Sequence, residues 1–187
     1  MSLCGPWPAD HPDPLVVVSL STSFQHQGAL LQRVMDALGG LRVRGLVTLG
    51  PTLAPKDFQA PGNVVIRSSA PHGRVFPQAA AVVTHAGHGT VMRALANGLP
   101  LVCIPMGRDQ TDVAARVVAR GAGLRLTPKA RTPALRQAIQ RVLDEPGFRA
   151  QARHLARAIA EETSRPLVAE ALEALATQGR VYTSLKG

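Results

Sequence analysis

Aromatic residues are scarce in this chain: one Trp, one Tyr and four Phe make up 3% of its 187 residues. A core with so few rings must be built mainly from Val, Leu, Ile and Ala. Nor is there an aromatic platform or a recognition helix to accompany the positive charge, which disfavours nucleic acid as a partner. Cysteine is rarer still. Cys4 lies in a proline-rich start and Cys103 in the apolar run LVCIP. Two such cysteines suggest neither a disulfide framework nor a metal cluster, and Cys103 reads as a buried free thiol. No apolar run approaches the ~20 residues of a membrane-spanning helix. The first residues lack the basic segment and apolar core of a signal peptide. A soluble cytoplasmic protein is the expectation.

What is present is a globular composition, 45% hydrophobic and 18% charged, in a length that suits one domain with a substantial core. The net charge of +9 is carried mostly by arginine, a balance that suits anionic partners such as phosphorylated small molecules. Most arginines of the second half fall on polar faces of expected helices, where a solvated surface accounts for them.

Residues 1–14 hold four prolines and no periodicity, and read as an extended leader. From Leu15 the pattern alternates. LVVVSL (15–20) is a β-branched run expected of a strand covered on both faces. Residues 24–38 space Leu30, Leu31, Val34, Met35 and Leu38 as a helix stopped by Gly39 and Gly40. Strands follow at 43–49, 63–68, 79–85, 101–105 and 123–126, with a Pro/Gly loop over 50–62. Helices are expected at 89–97, at 110–121, and then at 132–143, 147–162 and 165–177, the last capped by Ser164. This repetition predicts an α/β fold with a Rossmann-like, doubly wound parallel sheet of about six strands and C-terminal helices. Ligands of such sheets bind beyond the carboxyl ends of the strands, where strand order reverses.

Three strand-to-helix turns are rich in polar groups. In THAGHGT (84–90), Gly87 and Gly89 remove side chains where backbone must approach something, while Thr90 and the first amides of the next helix offer donors. A phosphate is the natural guest of a helix N-terminus, and His85 stands beside it. The plainer alternative is a tight turn with a satisfied buried histidine. The segment lacks the third glycine of the dinucleotide fingerprint and the Gly-Lys-Ser/Thr of a P-loop, so nicotinamide binding and ATP hydrolysis are disfavoured. SLSTSF (19–24) offers the hydroxyls of Ser21, Thr22 and Ser23, either to a ligand or as a helix cap. In PMGRDQ (105–110), Asp109 is either an N-cap or, with Gln110, an acceptor and donor pair suited to vicinal hydroxyls.

The stretch 62–126 resembles the donor-binding, carboxy-terminal domain of the UDP-glucuronosyl/antibiotic glycosyltransferase superfamily, one of the two Rossmann-like halves of the GT-B fold. The residues that carry the resemblance are APHGRVFPQ, then His-x-Gly-x-Gly-Thr at 85–90, Gly98-x-Pro100, and Pro105-x-x-x-Asp109-Gln110, in order and at the right spacing. Weaker likeness extends over nearly all of the chain after residue 14. The resemblance implies that 15–187 form the donor domain and that the acceptor domain is absent. It implies that His85, Gly87, His88, Gly89 and Thr90, with Ser21, Thr22 and Ser23, meet the donor diphosphate. Asp109 and Gln110 would meet the donor sugar, and Ser69, Ala70, His72 and Arg93 would lie by the base and ribose. No cofactor or metal is implied, since amides, helix dipole and histidine stabilise the departing diphosphate.

Two positions depart from the family pattern. Ser69 stands where a Trp commonly stacks on the base, and Arg93 where a Glu commonly holds the ribose hydroxyls. The activity implied is transfer of a hexose from a UDP or TDP sugar to a hydroxyl of a small natural product, with inversion. The catalytic base would come from the acceptor domain, so no catalytic residue is expected in this chain. The partner would be a separate acceptor-domain subunit or a second copy of the chain. The alternative is a non-catalytic nucleotide-sugar-binding protein that stabilises or regulates a partner, and a weaker one an epimerase of the same architecture.

Overall fold

The computed structural model describes residues 5–8, 10–20, 27–164 and 172–177. Six strands, β1 (Leu15–Ser19), β2 (Arg44–Thr48), β3 (Val64–Arg67), β4 (Ala81–Thr84), β5 (Leu101–Cys103) and β6 (Gly123–Arg125), form one parallel sheet in the order β3-β2-β1-β4-β5-β6. It is accompanied by the helices α1 (Gly28–Gly39), α2 (His72–Val75), α3 (His88–Ala96), α4 (Gln110–Ala119), α5 (Thr132–Asp144) and α6 (Pro146–Thr163). The expected doubly wound α/β sheet is the one found.

Burial on both faces explains the near-continuous apolar strands. All five residues of β1 are buried, and their alternation divides the core. Val16 and Val18 pack toward α1 and α5, against Leu31, Met35, Leu135 and Ile139. Leu15 and Val17 belong to the opposite layer, with Phe76, Val91 and Leu95, Ala114 and Val117 of α4, and Ala152 of α6. Each such aliphatic side chain contributes about 1.5–3 kcal/mol on leaving water. The chain before β1 is tied to β2. Arg44 donates its amide to the Pro14 carbonyl at 2.9 Å and its Nε to the Asp13 carbonyl at 2.8 Å, and its guanidinium lies 6.0 Å from the Trp7 ring centre.

Some boundaries differ from expectation. The helix expected from 24 is described from Gly28, and residues 21–26 lie outside the described residues. Residues 72–78, given no element from sequence, form α2 and a 3-10 turn, Phe76–Gln78. Pro71 and Pro77 sit at the starts of these turns, where a missing N–H costs nothing. Ser164 stands at the C-cap of α6, its hydroxyl donating back to the Glu161 carbonyl at 2.8 Å, and the residues it was expected to cap begin in the stretch outside the described residues. Residues 172–177 are helical, and 165–171 lie outside the described residues.

The strand order sets the place of the site. The chain runs outward from β1 to β2 and β3, then returns to lay β4 on the other side of β1 and runs outward again. The reversal lies between β1 and β4, whose last residues, Ser19 and Thr84, are register partners.

Candidate functional site

A cavity of about 500 Å³ opens at that reversal. The sequence-predicted residues Ser69, Ala70, His72, His85, Gly87, His88, Gly89, Thr90 and Arg93 all line it, joined by Ser19 and Thr48. Ser19 and Thr48 are the last residues of β1 and β2. The available signal was a hydroxyl at the carboxyl end of an otherwise aliphatic strand.

The THAGHGT turn builds one wall. Ala86 is buried with φ 67°, a left-handed conformation that L residues other than Gly rarely adopt. Its amide donates to Thr84 Oγ1 at 3.3 Å, which anchors the bend. Gly87, at the N-cap of α3, has φ −63° and needs no glycine for its backbone. It needs one for space: a Cβ there would lie 2.5 Å from His85 Nε2. A Cβ at Gly89, in contrast, would meet no atom beyond its own helical turn within 4 Å among the described residues. The missing side chain at 89 leaves room that none of the described residues fills. The amides of His88 and Gly89 donate to no backbone carbonyl among the described residues, whereas that of Thr90 returns to the Gly87 carbonyl at 3.1 Å. Thr90 thus has its hydroxyl, rather than its amide, to offer a ligand. No acidic side chain stands in the first turn of α3, so the positive end of the helix dipole is unneutralised from within the helix.

His85 is half-buried, and burial holds its imidazole below the usual histidine range. The Ser19 backbone and the Asp109 carboxylate push the other way. Despite that proximity, Nδ1 is buried without a hydrogen-bond partner among the described residues. The position favours a neutral ring that gains when an anion binds beside it.

His72, at the first position of α2, forms the opposite wall. Its ring stacks on Phe76, with centroids 4.4 Å apart and planes 13° from parallel, and its Nε2 shares a 3.1 Å hydrogen bond with Ser19 Oγ. Burial first, and then the Arg93 charge, lower its affinity for a proton. Arg93 is itself exposed, and its guanidinium makes no ion pair or hydrogen bond among the described residues.

The PMGRDQ loop departs from its simpler readings. Asp109 occupies the N-cap of α4 but has helical backbone angles and makes no side-chain cap. Its charge instead reaches His85, which places it beside that end of the cavity without lining it. Gln110 is buried, and its Oε1 accepts the amides of Met106 at 2.7 Å and Gly107 at 3.2 Å. That oxygen holds the loop, which turns through positive φ at Gly107 (152°) and Arg108 (57°). Only the Gln110 amide nitrogen is left for a ligand. Ser21, Thr22 and Ser23 lie outside the described residues.

A second cavity, about 520 Å³, opens at the other end of the sheet, where Pro14, Val43 and Ala80 lead into β1, β2 and β4. It has none of the predicted residues. Among the described residues no helix is long and apolar enough to cross a membrane.

Residues 32–176 match the C-terminal domain family of erythromycin biosynthesis protein CIII-like proteins. The chain is 35% identical over 190 residues to aklavinone 7-beta-L-rhodosaminyltransferase of Streptomyces galilaeus, covering 94% of this chain and 43% of that protein. Its fold superposes on the calicheamicin glycosyltransferase CalG4 with a TM-score of 0.81 at 28% identity, covering 94% of this chain and 46% of that one. The glycosyltransferase VinC, solved in complex with dTDP, gives 0.71 at 25% identity, covering 81% of this chain and 38% of that one. The chain thus spans less than half the length of each. Its sheet is that of a GT-B carboxy-terminal half, and the chain belongs to the erythromycin biosynthesis protein CIII-like C-terminal domain family.

Proposed function

We propose that this chain is the donor-binding part of a nucleotide-sugar-dependent glycosyltransferase and that its ligand is a UDP or TDP sugar. One observation carries the reading: His85, the vacant space at Gly89 and the free amides of His88 and Gly89 converge on one cavity at the strand-order reversal. Such a wall suits a pyrophosphate, with amide donors and a helix dipole facing the negative charge. As the sugar leaves, charge grows on the terminal phosphate, and fixed donors stabilise it without reorganising. His85 adds a donor whose proton affinity rises as that charge appears. Asp109 and the Gln110 amide nitrogen face the donor sugar, and His72 on its Phe76 support lies toward the base.

The reaction proposed is transfer of a hexose to a hydroxyl of a small acceptor with inversion, assisted by a base from an acceptor domain or subunit outside this chain. No metal enters this scheme. Titration calorimetry with UDP and dTDP tests it: His85→Ala should weaken binding by about 1–3 kcal/mol, the loss expected for a charge-assisted contact. Absence of nucleotide binding by the unmodified chain would remove the reading.

The second reading, a binding module without turnover, draws on Ser69 and Arg93, because both departures from the family pattern line the cavity itself. Activity that appears only with an added acceptor partner supports the enzyme; nucleotide binding without turnover across donors supports the module.

A further inference from the structure

We infer that Ser19 is a positioning residue of the cavity: through its hydroxyl it sets which edge of the His72 ring faces the nucleotide. The inference rests on the donor-site reading above and assigns part of its hold on the nucleoside to β1.

β1 is aliphatic until its last position, where a serine stands instead of the β-branched residues that suit a strand. Ser19 is paired on both sides, with Thr48 of β2 and Thr84 of β4, so its backbone is fixed at the reversal of strand order. Alternation along β1 puts its side chain on the face of Leu15 and Val17, the layer that contains Phe76. The residue is buried and lines the cavity. A buried hydroxyl needs a partner, and the one it has among the described residues is His72 Nε2, 53 positions along the chain and 3.1 Å away.

His72 is constrained twice. Phe76, fully buried, fixes the plane of the ring through the 4.4 Å stack. The stack alone does not choose between the two orientations related by a half-turn about Cβ–Cγ, because both keep the ring in that plane. The bond to Ser19 chooses one, since it needs a ring nitrogen at that edge. It governs the proton as well. Burial and the Arg93 charge favour the neutral ring, which carries a single N–H. The role of Nε2 in the bond therefore decides whether Nδ1 donates or accepts. Ser19 thus sets what His72 offers on the nucleoside side. Its backbone acts on His85, an effect that does not depend on the side chain, so removing the hydroxyl separates the two ends of the cavity.

Two measurements on the full chain test this. In ring-nitrogen NMR, the unmodified chain should show His72 as one dominant tautomer with well-separated nitrogen signals, and Ser19→Ala should draw the two signals together. In calorimetry, Ser19→Ala should weaken UDP and dTDP about three- to tenfold, the share of one hydrogen bond. Inorganic pyrophosphate, which meets only the His85 end, should bind as before. In a His72→Ala background the same substitution should cost nothing further. His72 signals that Ser19→Ala leaves unchanged would overturn the inference. So would unchanged nucleotide affinity, or an equal loss for pyrophosphate and nucleotides. UDP binding that depends on His85 but not on Ser19 defeats this inference alone. If no nucleotide binds, the donor-site reading falls and this inference with it.

Discussion

The imidazole of His85 lies over the backbone of Gly87, so close that a Cβ there would come within 2.5 Å of Nε2. Glycine at 87 is thus a condition for where the histidine stands. The ring is the movable end of a side chain, so Gly87→Ala should displace the ring rather than unfold the protein. Nucleotide affinity should fall by about 1–3 kcal/mol. In a double-mutant cycle, Gly87→Ala should cost little more once His85 is Ala. Calorimetry on the four proteins checks this, and additive losses would separate the two residues.

Gly89 makes the complementary case. An added methyl meets no described atom beyond its own helical turn within 4 Å, and Ala in a helix is favoured over Gly by about 0.5–1 kcal/mol. Gly89→Ala should therefore leave the melting temperature equal or raised, while weakening nucleotide binding by filling the cradle. A variant that is stabilised and still binds normally would show that the ligand does not approach here.

Both cavity histidines have lowered proton affinity in the fold, His85 and His72 alike, chiefly through burial. In the unfolded chain they return to ordinary values near 6.5. On acidification the unfolded state takes up protons first. Their contribution is therefore complete above pH 6.5 and is lost as pH falls through the lowered folded values. Denaturant unfolding of the unliganded chain should show stability declining from about pH 6.5 downward. A His85→Gln, His72→Gln double variant should show a shallower decline.

Gln110 supports the loop that carries Asp109. Gln110→Ala removes the acceptor of two amides in a buried setting, and should cost about 1–3 kcal/mol of stability. Chemical denaturation measures it. Asp109→Asn leaves those bonds intact and should unfold like the parent chain.

Burial pushes the Cys103 thiol up to about 12. In a Cys4→Ser background it should resist alkylation at pH 8 until denaturant opens the sheet. Rapid labelling of the folded chain would contradict the burial of β5.

The sheet was readable because each strand is an apolar run flanked by glycine-bounded helices, and burial on both faces leaves that signature. The turn glycines and His85 were readable because they interrupt it. Other features were hidden for physical reasons. The turns over 72–78 are too short to show a helical period, so the stacking of His72 on Phe76 left no trace in sequence. Ser19 looked like one more strand residue, although its hydroxyl holds His72. Gln110 reads from sequence as a sugar contact, and that reading carries no sign that its oxygen also braces a loop with positive φ. In such cases the partner lies far along the chain or in the backbone, and spacing alone carries no sign of it.

Two cavities of nearly equal size, about 500 and 520 Å³, stand at opposite ends of the same sheet. Amide chemical-shift mapping during titration with UDP or dTDP distinguishes them directly. The account predicts that the backbone signals of Gly87, His88 and Gly89 shift together and saturate, while those of Gly40, Leu41 and Asp144 at the other end stay in place. Shifts confined to the Gly40–Asp144 end, or none at Gly87–Gly89 under saturating nucleotide, would contradict it.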